Sequence, residues 1–368
     1  MVILSEVYLF GNYVDRLITM DVNMRGLVGG LYEAARNHVD GPLTYLAAKA
    51  LRDNVRSGDI VIIATGFPLR SWISPNIGES DGPPGAAVLA RAIALGLEAV
   101  PILISEYGIT NLLRANCSCT GIPIVNLEEA KKSIPIIKEA YSLPCQVIQG
   151  FPADVEEAKK EADRILDELK PTALISIERP GMNEKGVYHG TRGNNLEWGA
   201  GKLVAKADYL FEEAKSRGIL TIGVGDAGNE IGMGVIKDYI KETMPLGSKC
   251  ICPCESGIAP ITETDHLVVS AVSNWGAYGI TACLAVLLEI PEILHSGEME
   301  KDLLYACAHA GAFNGITCCA EPELIYGADV LPDFLHASIV EVLRMLGRNE
   351  IQRRKGVSWL DRWKRSKK

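Results

Sequence analysis

A doubly wound α/β fold, with a mostly parallel sheet, helices on both faces and a helical C-terminal layer, is what this sequence predicts. Three observations carry that expectation. Apolar runs bounded by turn residues recur at 59–65, 98–105, 122–126, 146–149, 172–177, 219–224 and 266–270, as strands buried on both faces do. Amphipathic stretches with three- and four-residue apolar spacing lie between several of them, at 85–96, 127–142, 153–170 and 202–217. Polar, glycine-rich segments follow several strands directly, where open α/β sheets bind their ligands.

Taken in order, strand 59–65 runs into Thr65-Gly-Phe-Pro68 and a long loop ending Glu79-Ser-Asp-Gly-Pro-Pro-Gly-Ala86. Pro84 suits the first turn of the next helix, whose free N–H groups and positive dipole end favour an anion. Asp81, just outside, either satisfies those amides or binds substrate. Asp154 is placed to cap helix 153–170. That charged helix marks the expected boundary between an N-terminal α/β portion, 1–150, and a second one, 151–368. Strand 172–177 ends in Glu178-Arg-Pro-Gly181 and opens a loop of roughly twenty residues with His189, Arg192, Asn194 and Asn195. Arg179 has the fork geometry that holds a carboxylate with two parallel hydrogen bonds, and a surface ion pair with Glu178 is the plainer alternative. A lone loop histidine such as His189 is more often neither ligand nor base.

The densest segment is Thr221-Ile-Gly-Val-Gly-Asp-Ala-Gly-Asn-Glu-Ile-Gly-Met-Gly234. Glycines let the backbone approach a ligand, and Asp226, Asn229 and Glu230 add acid–base, hydrogen-bonding and metal-binding capacity. Gly223, Gly225 and Gly228 also spell GxGxxG after a strand, so an NAD(P)-binding oxidoreductase is an alternative. Asp226 and Glu230 would crowd a pyrophosphate there, and no acid for the ribose stands at the usual distance. Farther on, Ser273-Asn-Trp-Gly-Ala-Tyr-Gly279 opens a helix that Asn274 can cap, with Trp275 in the core or at a ligand. Residues 275–289, 298–311 and 334–348 form the expected helical layer.

Bulk properties narrow the function. A 368-residue chain with 48% hydrophobic and 23% charged residues suits a globular enzyme, and a net charge of −9 argues against nucleic acid. The basic end, Arg353 to Lys355 and Arg362 to Lys368, reads as a solvated amphipathic terminus. No apolar run is long enough to span a membrane. The ten cysteines, in a large chain without a signal-peptide pattern, read as reduced thiols in a cytoplasm. They cluster only at Cys250-Ile-Cys-Pro-Cys254 and Cys318-Cys319. Alternate residues of a strand point to opposite faces and no CxxC or HxxxH pair matches, so a structural metal is not expected there.

Together, Gly66-Phe-Pro68, Asp81-Gly-Pro-Pro-Gly85, Glu178-Arg-Pro-Gly181, Gly225-Asp-Ala-Gly-Asn-Glu-Ile-Gly-Met-Gly234 and Ser273-Asn-Trp-Gly-Ala-Tyr278 resemble the D-glutamate cyclase family over roughly residues 20 to 340. The chain is similar to a free-standing version of the C-terminal catalytic portion of longer eukaryotic members; Ala227 departs from an expected glycine. The resemblance implies a hydro-lyase that converts D-glutamate to 5-oxo-D-proline and water. Asp226, Glu230 and Glu178 are then the catalytic candidates. Arg179 is the α-carboxylate clamp, Asp81, Asn229, Asn274, Gly225 and Gly228 bind substrate, and loop N–H groups serve as oxyanion donors. No cofactor is required by the residues. Asp226 and Glu230, with Asp81 and Glu178, are of the type that holds Mg²⁺ or Mn²⁺. An amino acid is the expected partner. The apolar C-terminal layer is compatible with a homodimer, and a non-catalytic glutamate or carboxylate binder is the second alternative.

Overall fold

The computed structural model describes residues 6–70, 73–139, 144–197, 203–314 and 326–357. Its strands are β1 (Ile60–Thr65), β2 (Val100–Glu106), β3 (Ile124–Val125), β4 (Gln146–Phe151), β5 (Ala173–Ile177), β6 (Leu220–Gly225) and β7 (His266–Val269). They form one parallel sheet in the order β3-β4-β2-β1-β5-β6-β7. Every apolar run read as a strand is one. Strands from either side of residue 150 pair within this sheet, since β1 lies beside β5 with Val61 opposite Ala173. A separate two-residue pair, β8 (Gly327–Ala328) and β9 (Leu331–Pro332), is antiparallel.

The described helices are α1 (Glu6–Ile18), α2 (Val28–Asn37), α3 (Leu43–Asn54), α4 (Pro83–Gly96), α5 (Thr110–Ser118), α6 (Leu127–Glu139), α7 (Val155–Leu169), α8 (Ala207–Ser216), α9 (Lys237–Thr243), α10 (Ser273–Leu288), α11 (Gly297–His309) and α12 (Asp333–Arg354). Side chains alternate across a strand, and β1 shows how that builds two cores. Val61 and Ile63 join α1 to α5 and α10 to α12, whereas Ile60, Ile62 and Ala64 join α6, α7 and α8. Helices therefore cover both faces, as expected of a doubly wound sheet. Asp154 caps α7 by accepting from the backbone N–H groups of Glu156 and Glu157. The pair Cys318-Cys319 and the basic residues 362–368 lie outside the described residues.

Strand order reverses at β1 and β5: the chain moves outward through β2 on one side and through β6 on the other. That is the switch point at which the loops leaving adjacent strands splay apart and open a crevice. Here the loops that leave β1, β5 and β6 carry Phe67 to Asp81, Glu178 and Asp226 to Glu230.

Candidate active site

At the crevice the structure has a cavity lined by Arg25, Phe67, Leu69, Glu79, Glu178, Thr191, Asp226, Ala227, Asn229 and Asp329. It is narrow, about 20 Å³, room for a water or an ion. A larger cavity of about 370 Å³ between α1 and α12, lined by Leu9, Phe10, Tyr13 and Leu346 among others, is far more apolar and holds none of the candidate residues. The chemistry is at the smaller one. One oxygen from each of Asp81, Glu178 and Asp226 falls within 4.8 Å of the others, and so does a second set from Glu79, Asp81 and Asp329.

Each acid is set by a different local device. Asp226 follows the last residue of β6 and pairs with Arg25, whose Nη2 lies 2.5 Å from its Oδ2, 2.6 Å from the Ala271 carbonyl and 3.5 Å from Asp329. Glu178 follows β5 in a left-handed conformation, φ 45°, and accepts a 2.6 Å hydrogen bond from the Ser273 hydroxyl. Asp329 and Val330, φ 52° and 64°, form the two-residue turn between β8 and β9, a strained geometry for a β-branched residue. That turn delivers the Asp329 carboxylate to the cavity.

The resulting charge imbalance separates the acids. Burial would raise Asp226, but the Arg25 charge and hydrogen bonds from Asp329, Arg25 and Glu230 outweigh it and hold it below the usual carboxylate range. Burial and repulsion from Asp226 push Asp81 up to about 7. Glu178 is raised well above its ordinary value by burial and by Asp226, Glu79 by burial and by Asp81, and Asp329 by burial and by Asp226. Glu230 is pushed up to about 8 by burial and the Asp226 charge, against backbone amides that favour its ionised form. One carboxyl group held low beside others pushed up is the arrangement from which acid–base pairs are built.

A family model described as D-glutamate cyclase-like, C-terminal, matches residues 14–344. The chain belongs to the D-glutamate cyclase family. It is 33% identical over 246 residues to the human protein named D-glutamate cyclase, mitochondrial, a match covering 66% of this chain and 35% of that protein. This chain thus matches about a third of the length of its curated relative. No helix among the described residues is long and apolar enough to cross a membrane.

Of the residues that the D-glutamate cyclase resemblance nominated, Glu178, Asp226 and Asn229 line the cavity, and Asp81 and Glu230 lie directly behind it. Asp81 accepts from the backbone N–H of Ser273 and Asn274, both at 2.7 Å, so it caps α10 while its carboxylate also joins the acidic cluster. Asn274 in turn caps α4 rather than its own helix: its Oδ1 accepts from Gly82 and Gly85 at 3.0 and 2.7 Å, and its Nδ2 donates to the Ser80 carbonyl. A side chain so fully engaged and buried is not placed to bind substrate. Gly225 and Gly228 serve the loop itself. A Cβ on Gly225 would sit 2.9 Å from the Glu230 carboxyl carbon, and Gly228 has φ 86°.

Three further expectations are corrected. Arg179 does not clamp a substrate carboxylate, because its guanidinium is buried in an ion pair with Glu106 and donates to the carbonyls of Gly66 and Ala205. It ties the ends of β1, β2 and β5 together. Nor are the loop amides free as oxyanion donors: Glu230 accepts from Asp226 and Ala227 at 2.9 and 2.7 Å and from Asn229 at 2.8 Å. Glu230 organises the loop from within. Sequence reasoning left out Arg25 and Asp329, and it left Glu79 without a role although it stands in the quoted loop. Finally, the Cys250-Ile-Cys-Pro-Cys254 segment is not a strand but a series of turns that gathers its sulfurs against His189.

Proposed function

We propose that this chain cyclises glutamate, the D-enantiomer by its family, to 5-oxoproline with loss of water. The observation that carries the reading is the convergence of Asp226, held low by Arg25, and Glu178, raised by burial, with carboxylate oxygens within 4.8 Å of each other in one cavity at the switch point of the sheet. The reaction joins the α-nitrogen to the γ-carboxyl carbon. An ammonium must lose two protons overall, and both depart with one γ-carboxyl oxygen as water. Asp226 accepts the first and frees the amine to attack; that proton and one from Glu178 pass to the departing γ-oxygen, which leaves as water, and the second nitrogen proton restores Glu178. Holding both ends of one folded substrate offers an effective molarity on the order of 10⁵ M or more, so no nucleotide is needed for activation.

Recognition falls to other side chains. Arg25 is the cation in hydrogen-bond reach of the cavity acids and takes over the carboxylate contact once assigned to Arg179. Asn229 Oδ1 is buried without a hydrogen-bond partner, while its Nδ2 donates to the His189 carbonyl at 2.7 Å. That free acceptor suits a substrate ammonium. Phe67 and Leu69 supply the apolar wall for the methylenes. A cavity of about 20 Å³ is smaller than glutamate, so binding requires its lining to open, and reclosure would then exclude water. Asp81, Glu178 and Asp226, with Glu79 and Asp329 beside them, would also hold Mg²⁺ or Mn²⁺. The excess of carboxyls over Arg25 fits such an ion, which would neutralise carboxylate charge in place of the protons.

The deciding experiment is incubation with each glutamate enantiomer, with and without divalent cations and chelator, followed by chiral detection of 5-oxoproline. Formation of 5-oxo-D-proline supports the proposal. Tight glutamate binding without product would make the chain a carboxylate-binding protein instead, and neither binding nor product would remove glutamate as the ligand.

A further inference from the structure

Outside this cavity, a second cluster of ligand-type side chains closes around a point between two loops. His189 comes from the loop after β5, and Cys250, Cys252 and Cys254 come from the segment between α9 and β7. Turns in that segment, including a bond from the Glu255 N–H to the Cys252 carbonyl, swing alternate residues to the same side. His189 Nε2 lies 3.2 Å from Cys252 Sγ and 3.5 Å from Cys254 Sγ. Cys250 Sγ lies 3.5 Å from Cys252 Sγ and 3.3 Å from Cys254 Sγ. One atom from each of the four falls within 4.8 Å of all the others.

These separations are not those of bonded or indifferent thiols. A disulfide requires sulfurs about 2.05 Å apart. With Zn–S about 2.3 Å and Zn–N about 2.0 Å, tetrahedral angles put sulfurs roughly 3.8 Å apart and the nitrogen roughly 3.5 Å from each sulfur; the separations here, 3.2 and 3.5 Å from nitrogen to sulfur and 3.5 and 3.3 Å between sulfurs, match that geometry or fall up to about 0.5 Å inside it. The surroundings add a second, independent indication. Backbone hydrogen bonds from Gly257 and Cys254 reach the Cys250 and Cys252 sulfurs, and Asn183 Nδ2 lies 3.5 Å from Cys254 Sγ. Donors of this kind stabilise thiolates and orient metal ligands. Burial lowers His189 to about 4, so its imidazole is neutral, the form that ligates.

We infer that His189, Cys250, Cys252 and Cys254 form a closed, tetrahedral Cys3His site for zinc, in a structural rather than catalytic role. Four protein ligands leave no open position for a reacting water. Binding exchanges the thiol protons for the ion and pins the loop 178–197 to the segment 250–254. The tie reaches the active-site wall: the His189 carbonyl accepts from Asn229, and Thr191, two residues on, lines the cavity. The packing is close enough that a Cβ on Gly193, φ 72°, would meet the Ile251 nitrogen at 3.2 Å.

The test does not depend on catalysis. Untagged protein purified under reducing conditions without chelator is analysed by metal mass spectrometry, then stripped and refilled with Co²⁺. The inference expects one zinc per chain, and a cobalt spectrum with thiolate charge-transfer and intense tetrahedral bands. Paired Cys252→Ser and Cys254→Ser replacement should lose both, whereas Cys119→Ser, just past the end of α5, keeps them. Wild-type protein with well under one zinc per ten chains after zinc supplementation overturns the site, as does a native disulfide among these cysteines. Bound metal whose cobalt form lacks a thiolate band would lie on carboxylates and overturns it equally. Because the decisive spectra come from the wild-type chain, poor folding of the serine variant does not blunt the result.

Discussion

Raising the pH from about 6.5 to about 8.5, in buffer without added divalent cations, should weaken the folded protein, and Glu230→Gln should remove about 2 kcal/mol of that dependence. Glu230 sits at about 8 in the fold against 4.5 ordinarily. Between those values the folded chain holds a proton that the unfolded chain has lost. The stabilisation is therefore complete below the ordinary value and disappears as the pH rises through 8. Over this window the loss at Glu230 comes to about 2 kcal/mol, with about 1 kcal/mol more from Asp81 at about 7. The window begins where it does because His266 and His336, both lowered by burial, titrate below it and act in the opposite sense. Glu178, Glu79 and Asp329, raised in the same sense as Glu230, are common to both chains and cancel in their difference. Urea unfolding followed by circular dichroism at several pH values gives each curve, and wild type should lose about 2 kcal/mol more than the variant. Parallel curves would refute the reasoning, because they would mean that three backbone amides keep Glu230 ionised throughout.

Asp226→Asn preserves shape while removing the base, so 5-oxoproline formation should fall at least about 100-fold with little change in the unfolding midpoint; a near-wild-type rate ends the assignment. Arg179→Gln leaves Glu106 buried and unpaired, which should cost about 3 to 5 kcal/mol, and adding Glu106→Gln should recover most of it. A stable single variant whose sole defect is a raised KM would instead restore Arg179 to the substrate. Val330→Asn relieves a β-branched residue at φ 64° and should stabilise by about 1 kcal/mol in a thermal melt, whereas a lower Tm would show that Val330 packing outweighs the strain.

The sheet was legible because strands buried on both faces are written as nearly continuous apolar runs, and β1 and β2 are buried at every position. Helices α1 to α3 were not read, and α1 shows why. Its stripe of Phe10, Val14 and Ile18 is interrupted by Asp15, a buried acid whose carboxylate accepts from Leu43, Thr44 and Tyr32 and so caps α3. An acid with that tertiary duty looks like a break in the pattern. The loops after the strands announced Glu178, Asp226 and Asn229 because turn chemistry is local. Arg25 and Asp329 carry no such signal; each is a single charged residue in a short loop, and only the fold brings the two segments together. Arg179 misled for the same reason, since its partner Glu106 is 73 residues away at the end of another strand. The cysteines misled through geometry, because opposite-face alternation holds for an extended strand and fails once turns intervene.

The glycine pattern of the β6 loop makes the same point in chemical terms. A dinucleotide site needs its glycine turn to run straight into a helix whose free N–H groups receive the pyrophosphate. Here the first α-helix after β6 begins only at Lys237, and the intervening chain folds back so closely that a Cβ on Gly223 would lie 2.8 Å from the Gly232 Cα. The loop still presents a cluster of backbone N–H groups, but Glu230 already occupies it from inside with hydrogen bonds of 2.7 to 2.9 Å. An incoming phosphate would have to displace that carboxylate and would then face Asp226. The glycines therefore serve a tight return rather than an anion pocket, and the return projects Asp226 and Asn229 into the cavity. What separates the two meanings of GxGxxG in this chain is the acid two residues after the third glycine: a carboxyl group supplied by the protein already fills the place that a nucleotide phosphate would take.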